Sequence, residues 1–194
     1  MGEYRINRSG LLDVMSAWSA FLKRPVRLVA CGGTAMTLLE IKASTKDIDF
    51  IVPDLGEYKY LVGKLEELGY ERATQYGWKK DEGFVFDLFP GNAVYATLLI
   101  ASPLEPGGNI PYKEFDRIYI GILNFYDILI TKLFRASSVD IEDCLGLFRR
   151  PEAKIDLKIL KERFQETAAH DVSEEKVLKN LEHFLRALKK EKLT

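Results

Sequence analysis

The spacing of apolar residues changes character at Asn124. Before it short runs, several with β-branched residues or strict alternation and broken by Gly and Pro, are interspersed with helical stretches. After it they follow a helical period to the end of the chain. The fold class this implies is α/β (α+β): a small, mixed, strongly twisted sheet with flanking helices over residues 1–122, then a helical C-terminal region, 123–194, packed on it. The 194 residues suffice for one compact domain or a core with a helical appendage.

Apolar residues from Leu11 to Phe21 predict a helix over Leu11–Lys23, ended by Pro25. Val26–Cys31 reads as a strand broken by Gly32-Gly33, with Thr34 as the cap of a helix reaching about Lys42. Asp47–Val52 (DIDFIV) alternates strictly and Pro53 closes it. A helix over Glu57–Leu68 stops at Gly69. One or two strands lie between Tyr70 and Lys80, and Phe84–Phe89 is another, ended by Pro90-Gly91. Residues 91–114, rich in Pro and Gly, read mostly as loop, and Phe115–Ile120 as a last short strand. Asn124 is placed to cap Phe125–Ala136 and Asp140 to open Ile141–Phe148. Amphipathic helices come next over about Lys154–Ala168 and Ser173–Lys190.

Composition excludes several functions. Lys plus Arg total 28 against 29 Asp plus Glu, a net charge of -1, whereas a protein coating nucleic acid is usually basic. The two cysteines, Cys31 and Cys144, have neither metal-ligand spacing nor a disulfide framework, so inert reduced thiols are expected. No apolar run approaches the ~18 residues of a membrane span. Met1–Arg5 carries no apolar signal core, and the chain reads as cytoplasmic with no membrane partner.

Chemistry concentrates at three places. Gly32-Gly33 after a strand lets the backbone approach a ligand closely, and the helix opening at Thr34 would offer N–H groups to phosphate oxygens; a plain turn has the same sequence. Asp47 and Asp49, two apart on a strand, share a face, and paired carboxylates repel unless a cation or base lies between them. Two solvent-facing aspartates at a strand start are the alternative. Asp87 stands mid-strand between Phe86 and Leu88, where an unpaired carboxylate is costly. If that strand lies beside Asp47–Val52, three carboxylates converge, as in sites that hold two divalent ions about 3.5–4 Å apart for phosphoryl transfer. The alternative is a buried Asp87 paired to a Lys or Arg.

The order Gly32-Gly33-Thr34, Asp47-Ile48-Asp49, Phe86-Asp87-Leu88 resembles the nucleotidyltransferase fold of the DNA polymerase β superfamily, over roughly residues 26–90. Gly32–Ala35 with Ser44–Phe50, and Lys132-Leu133-Phe134-Arg135 followed by Asp140-Ile141-Glu142-Asp143, look like its AbiEii/MenA toxin-like branch and extend the resemblance to about residue 150. The resemblance implies a nucleotidyltransferase-type sheet and transfer of a nucleotidyl group from an NTP to a hydroxyl acceptor. It implies that Asp47, Asp49 and Asp87 bind Mg²⁺ or Mn²⁺ and carry catalysis. Gly32, Gly33, Thr34 and Lys132 would hold the triphosphate, and Asp140 and Asp143 would orient Lys132 or Arg135 or simply open a helix. The acceptor it leaves open: RNA or a tRNA 3′ end, a protein side chain, or a small antibiotic-like hydroxyl compound. A non-catalytic nucleotide- or partner-binding relative, such as a toxin–antitoxin-like component with a cognate partner protein, is the other reading, and a purely structural interaction domain a third.

Other motifs fall away. An EF-hand loop fails because Phe50, Ile51 and Val52 replace its ligands and Gly. A metal-dependent glycosyltransferase, which also uses Asp-x-Asp after a strand, needs a longer nucleotide-sugar fold. His170 and His183 have no ligand-spaced partners and read as surface residues. Basic residues from Arg149 to Lys192 are interleaved with acids, as on a solvated helical face.

Overall fold

The computed structural model describes residues 5–80 and 83–193. Met1–Tyr4, where the signal-core reading mostly falls, lie outside the described residues. The chain divides into two compact units, the first comprising Met1–Tyr95 and Ala101–Asn124, the second Ala96–Ile100 and Phe125–Thr194.

In the first unit, helix α1 (Arg8–Phe21) precedes β1 (Val26–Ala30), α2 (Gly32–Leu38), β2 (Ile48–Val52) and α3 (Leu55–Glu67). Then come β3 (Glu71–Arg72), β4 (Gly77–Lys79), β5 (Val85–Pro90) and the short β6 (Ala93–Val94). Strand β7 (Thr97–Leu98) belongs to the second unit, and β8 (Asn109–Glu114) and β9 (Ile118–Leu123) return to the first. The main sheet has the order β3-β4-β5-β2-β1-β9-β8. It is mixed: β1 runs parallel to β9 and antiparallel to β2, while β2 runs parallel to β5.

Every residue of β2 is buried, because the strand lies mid-sheet. Alternation puts Ile48, Phe50 and Val52 on one face together with Phe86 and Leu88 of β5, and Asp49 with Asp87 on the other. The apolar face takes Trp18 of α1, whose ring lies 4.6 Å from Phe86. α3 packs on β1, β2 and β5. It starts where Asp54 accepts hydrogen bonds from the Gly56 and Glu57 N–H groups, and it ends at Gly69, whose φ of 82° supplies the left-handed cap.

The second unit is helical: α4 (Phe125–Arg135), α5 (Ser138–Phe148), a 3-10 turn at Pro151–Ala153, α6 (Leu157–Ala168) and α7 (Glu174–Lys190). Val177, Leu181, Phe184 and Leu188 form the buried stripe of α7. The Asn180 amide donates to the Leu133 carbonyl at the end of α4. Among the described residues no helix is long and apolar enough to cross a membrane.

Several expected boundaries move, each for a local reason. α1 starts at Arg8 because the Asn7 side chain caps it, and it stops at Phe21. Thr34 is not a cap: Cys31 holds that position and Thr34 lies inside α2, which ends at Leu38. Asp47 precedes β2 instead of opening it, since its carbonyl accepts from the Thr45 hydroxyl (3.0 Å) and the strand begins at Ile48. The segment read as loop contains β8, which pairs with β9 with a register shift between Pro111 and Lys113. α5 is opened by Ser137 in a capping box with Asp140, and α6 is capped by Asp156.

Candidate active site

Asp49 is a carboxylate at the centre of a sheet, 4% exposed. Its burial is tolerable because nearly every polar atom is met. Its N–H donates to the Thr34 hydroxyl at 2.8 Å, and its carbonyl accepts from the Cys31 N–H at 3.2 Å. The side-chain Oδ2 accepts from the Gly33 N–H at 3.0 Å. Gly32 makes the seat possible: it adopts φ +54°, and a Cβ there would lie 2.5 Å from Asp49 Oδ2. The glycine corner therefore serves a carboxylate first. Thr34, fully buried, has its hydroxyl committed to the backbone of the Asp47–Asp49 stretch, with a second, longer contact of 3.4 Å to the Asp47 carbonyl.

Asp87 is the direct register partner of Asp49 across the parallel β2–β5 pair. Its other neighbour is Gly77 of β4, where a Cβ would come within 3.0 Å of Asp87 Oδ1. Each acid thus sits over a glycine. No Lys or Arg among the described residues pairs with Asp87. Burial, then the charges of Asp49 and Asp47, push its carboxyl up from 3.8 to about 6, against a smaller opposing effect from a Tyr95 hydrogen bond. Asp47 is exposed, yet near enough for its charge to act on Asp87.

Tyr95 is the residue that sequence reading missed. Its hydroxyl lies 3.1 Å from Asp49 Oδ1 and 3.3 Å from Asp87 Oδ2. It occurs in the unreadable stretch after Gly91, in no motif and no periodic pattern, so nothing local announced it.

Hard carboxylate oxygens under mutual repulsion suit a divalent cation such as Mg²⁺. The donor chemistry fits, but the observed side chains do not converge on one point. Among the described residues no group of three or more His, Cys, Asp or Glu stands in position to hold a metal. Asp49 accepts from the Gly33 N–H at one oxygen and from the Tyr95 hydroxyl at the other.

No family model and no curated protein matches the chain. Solved structures do align with most of it. ANT(2'')-Ia in complex with adenylyl-2''-tobramycin is 18% identical over 91% of this chain and 96% of that one, with a TM-score of 0.43. An antigenic nucleotidyltransferase-like protein from Paracoccidioides brasiliensis is 13% identical over 91% and 95%, with a TM-score of 0.46. The solution structure of the antibiotic-resistance factor ANT(2'')-Ia is 16% identical over 96% and 97%, with a TM-score of 0.43. Likenesses at this level fix neither activity nor substrate, which must come from the chain's own geometry.

Lys132 belongs to the second unit, 2% exposed, with its ammonium 2.7 Å from Asp143 and 3.5 Å from Asp140. Arg135 adds a 2.8 Å ion pair to Asp140. Burial alone would raise the Asp140 carboxyl, but hydrogen bonds and charge from Arg135, with help from Ser137 and Lys132, hold it below the usual range. Both acids are partners of the basic pair, and Asp140 also completes the α5 capping box. Cys144, buried beside them, has its thiol pushed strongly up by burial and is unreactive.

Proposed function

We propose that this chain is a metal-dependent nucleotidyltransferase that moves a nucleotidyl group from an NTP to a hydroxyl acceptor. The observation that carries the reading is the pairing of Asp49 with Asp87 on adjacent parallel strands, with Asp47 close by and the Gly32–Gly33 corner alongside. Burying two carboxylates as direct neighbours costs stability unless something positive is to meet them. Asp47, Asp49 and Asp87 would hold the cation, and Mg²⁺ or Mn²⁺ bound there supplies charge neutralisation and polarisation of phosphoryl oxygens.

The chain's own groups do the remaining work. Asp87, beside the cation, would orient the attacking hydroxyl and accept its proton. The acceptor oxygen bonds to the α-phosphorus, the bond from that phosphorus to the bridging oxygen breaks, and pyrophosphate leaves. Thr34 acts indirectly, by fixing the backbone of Asp49. Gly32 and Gly33 border the triphosphate, whereas Lys132 serves the packing of α4 against α5. The acceptor classes remain RNA or tRNA, a protein side chain, or a small hydroxyl compound, and placement in the AbiEii/MenA toxin-like branch, with a cytoplasmic setting and a cognate partner protein, belongs to this same proposal.

One observation favours a second reading, a nucleotide- or partner-binding relative without catalysis: the Tyr95 hydroxyl already lies against both carboxylates. Incubation with each α-labelled NTP and total RNA or protein separates the two. Transfer of label by the wild type and its loss in Asp47→Ala and Asp87→Ala supports catalysis; equal labelling by wild type and Asp47→Ala removes the assignment.

A further inference from the structure

We infer that Tyr95 competes with the divalent cation for Asp49 and Asp87, so that its hydroxyl must withdraw before both carboxylates can be used. This rests on the metal-dependent reading above. The hydroxyl lies between the two acids, at 3.1 Å from Oδ1 of one and 3.3 Å from Oδ2 of the other. A phenol has one proton, so it donates fully to one oxygen at a time and neutralises neither charge. A cation satisfies both acids at once and is the stronger partner, but it has to displace the tyrosine first.

The surroundings of Tyr95 suit a group that is held and can be released. Its ring packs on Phe89 with centroids 4.7 Å apart at 60°, and Phe89 in turn meets Tyr76 at 5.0 Å. That contact aims the hydroxyl at the carboxylates. Its backbone has φ +51°, a left-handed conformation that non-glycine residues adopt at a cost, so the tyrosine is held by its contacts against a strained main chain. At 36% exposure the ring also has solvent on one side into which to turn. Tyr95 is thus a positioning residue: it holds the two carboxylates and sets how much cation is needed to engage them.

The test is Mn²⁺ affinity of the full chain, measured by electron paramagnetic resonance of the free ion without NTP, for wild type and Tyr95→Phe. The Phe variant keeps the ring on Phe89 and removes only the oxygen. It should bind Mn²⁺ about fivefold tighter, the equivalent of the ~1 kcal/mol that a net hydrogen bond contributes. Tyr95→Leu, which also lacks the oxygen, should tighten binding in the same direction and guards against a folding defect in either variant. In wild type, saturating Mg²⁺ should shift the tyrosine ultraviolet difference spectrum, and the Phe variant should lack that component. Unchanged or weaker Mn²⁺ binding in both variants overturns the role of Tyr95 while leaving the nucleotidyl-transfer reading in place. Absence of Mn²⁺ binding in wild type overturns both.

Discussion

Asp49 and Asp87 face each other in register on parallel strands, and each lies over a glycine, Gly32 in one case and Gly77 in the other. The arrangement sets two carboxylates side by side on adjacent strands, and a glycine leaves room beside each. Burial, and after it the charges of Asp49 and Asp47, lift the Asp87 carboxyl to about 6.

That lift makes stability pH-dependent. A carboxyl whose folded value lies above the unfolded 3.8 contributes stability that is fully present below 3.8 and lost as pH rises through about 6. Ionised Asp87 is therefore a cost at pH 7.5. Asp87→Asn should stabilise the protein there by about 1–2 kcal/mol, after discounting for partial solvent screening, and by little at pH 4. Thermal melts of both proteins at the two pH values check it, and equal melting temperatures at pH 7.5 would count against a raised Asp87.

Thr34→Val keeps the shape of the side chain and removes the hydroxyl that takes the Asp49 N–H. An orphaned buried donor costs about 1–3 kcal/mol, so urea unfolding should register a loss in that range. A neutral result would mean the hydroxyl does not hold Asp49.

Gly32→Ala adds a methyl 2.5 Å from the Asp49 carboxylate at a residue with φ +54°. The expected loss is about 1–3 kcal/mol of stability, together with weakened metal binding because Asp49 has to move. Wild-type stability and Mn²⁺ affinity in this variant would show that the Asp49 seat tolerates a methyl group.

Much of the site was legible before the structure because its chemistry is local. An Asp between Phe86 and Leu88 is costly wherever that strand lies, and Gly32-Gly33 after a strand marks a corner where the backbone can be approached closely. Two things were not legible. Thr34 looks like a helix cap by residue type, but the helix opens at Gly32 and the hydroxyl is drawn to a strand fifteen positions away. Tyr95 reaches Asp49 across 46 residues, and β8 forms despite Pro111 because β9 supplies a partner; both depend on pairing that no local window contains. Lys132 was read from resemblance alone, and its two acid partners on α5 explain its burial without a ligand.

In the second unit, Asp143→Ala leaves the Lys132 ammonium buried with a weaker partner. Breaking such a pair costs about 3–5 kcal/mol, and guanidinium unfolding should show it. Asp140, held low, contributes stability present above 3.8 and lost as pH falls through its depressed value, so Asp140→Asn should flatten the acid limb of the stability curve. An acid limb unchanged in the variant would remove Asp140 from that account.

The most direct measurement is calorimetric titration of NTP into wild type, Asp49→Asn and Asp87→Asn, each with Mg²⁺ and with a chelator. Wild type should bind NTP with Mg²⁺ and lose most of that affinity on chelation, and either variant should behave with Mg²⁺ as wild type does without it. Binding that ignores both the chelator and the loss of either carboxylate would contradict the claim that this acid pair exists to hold a cation against a triphosphate.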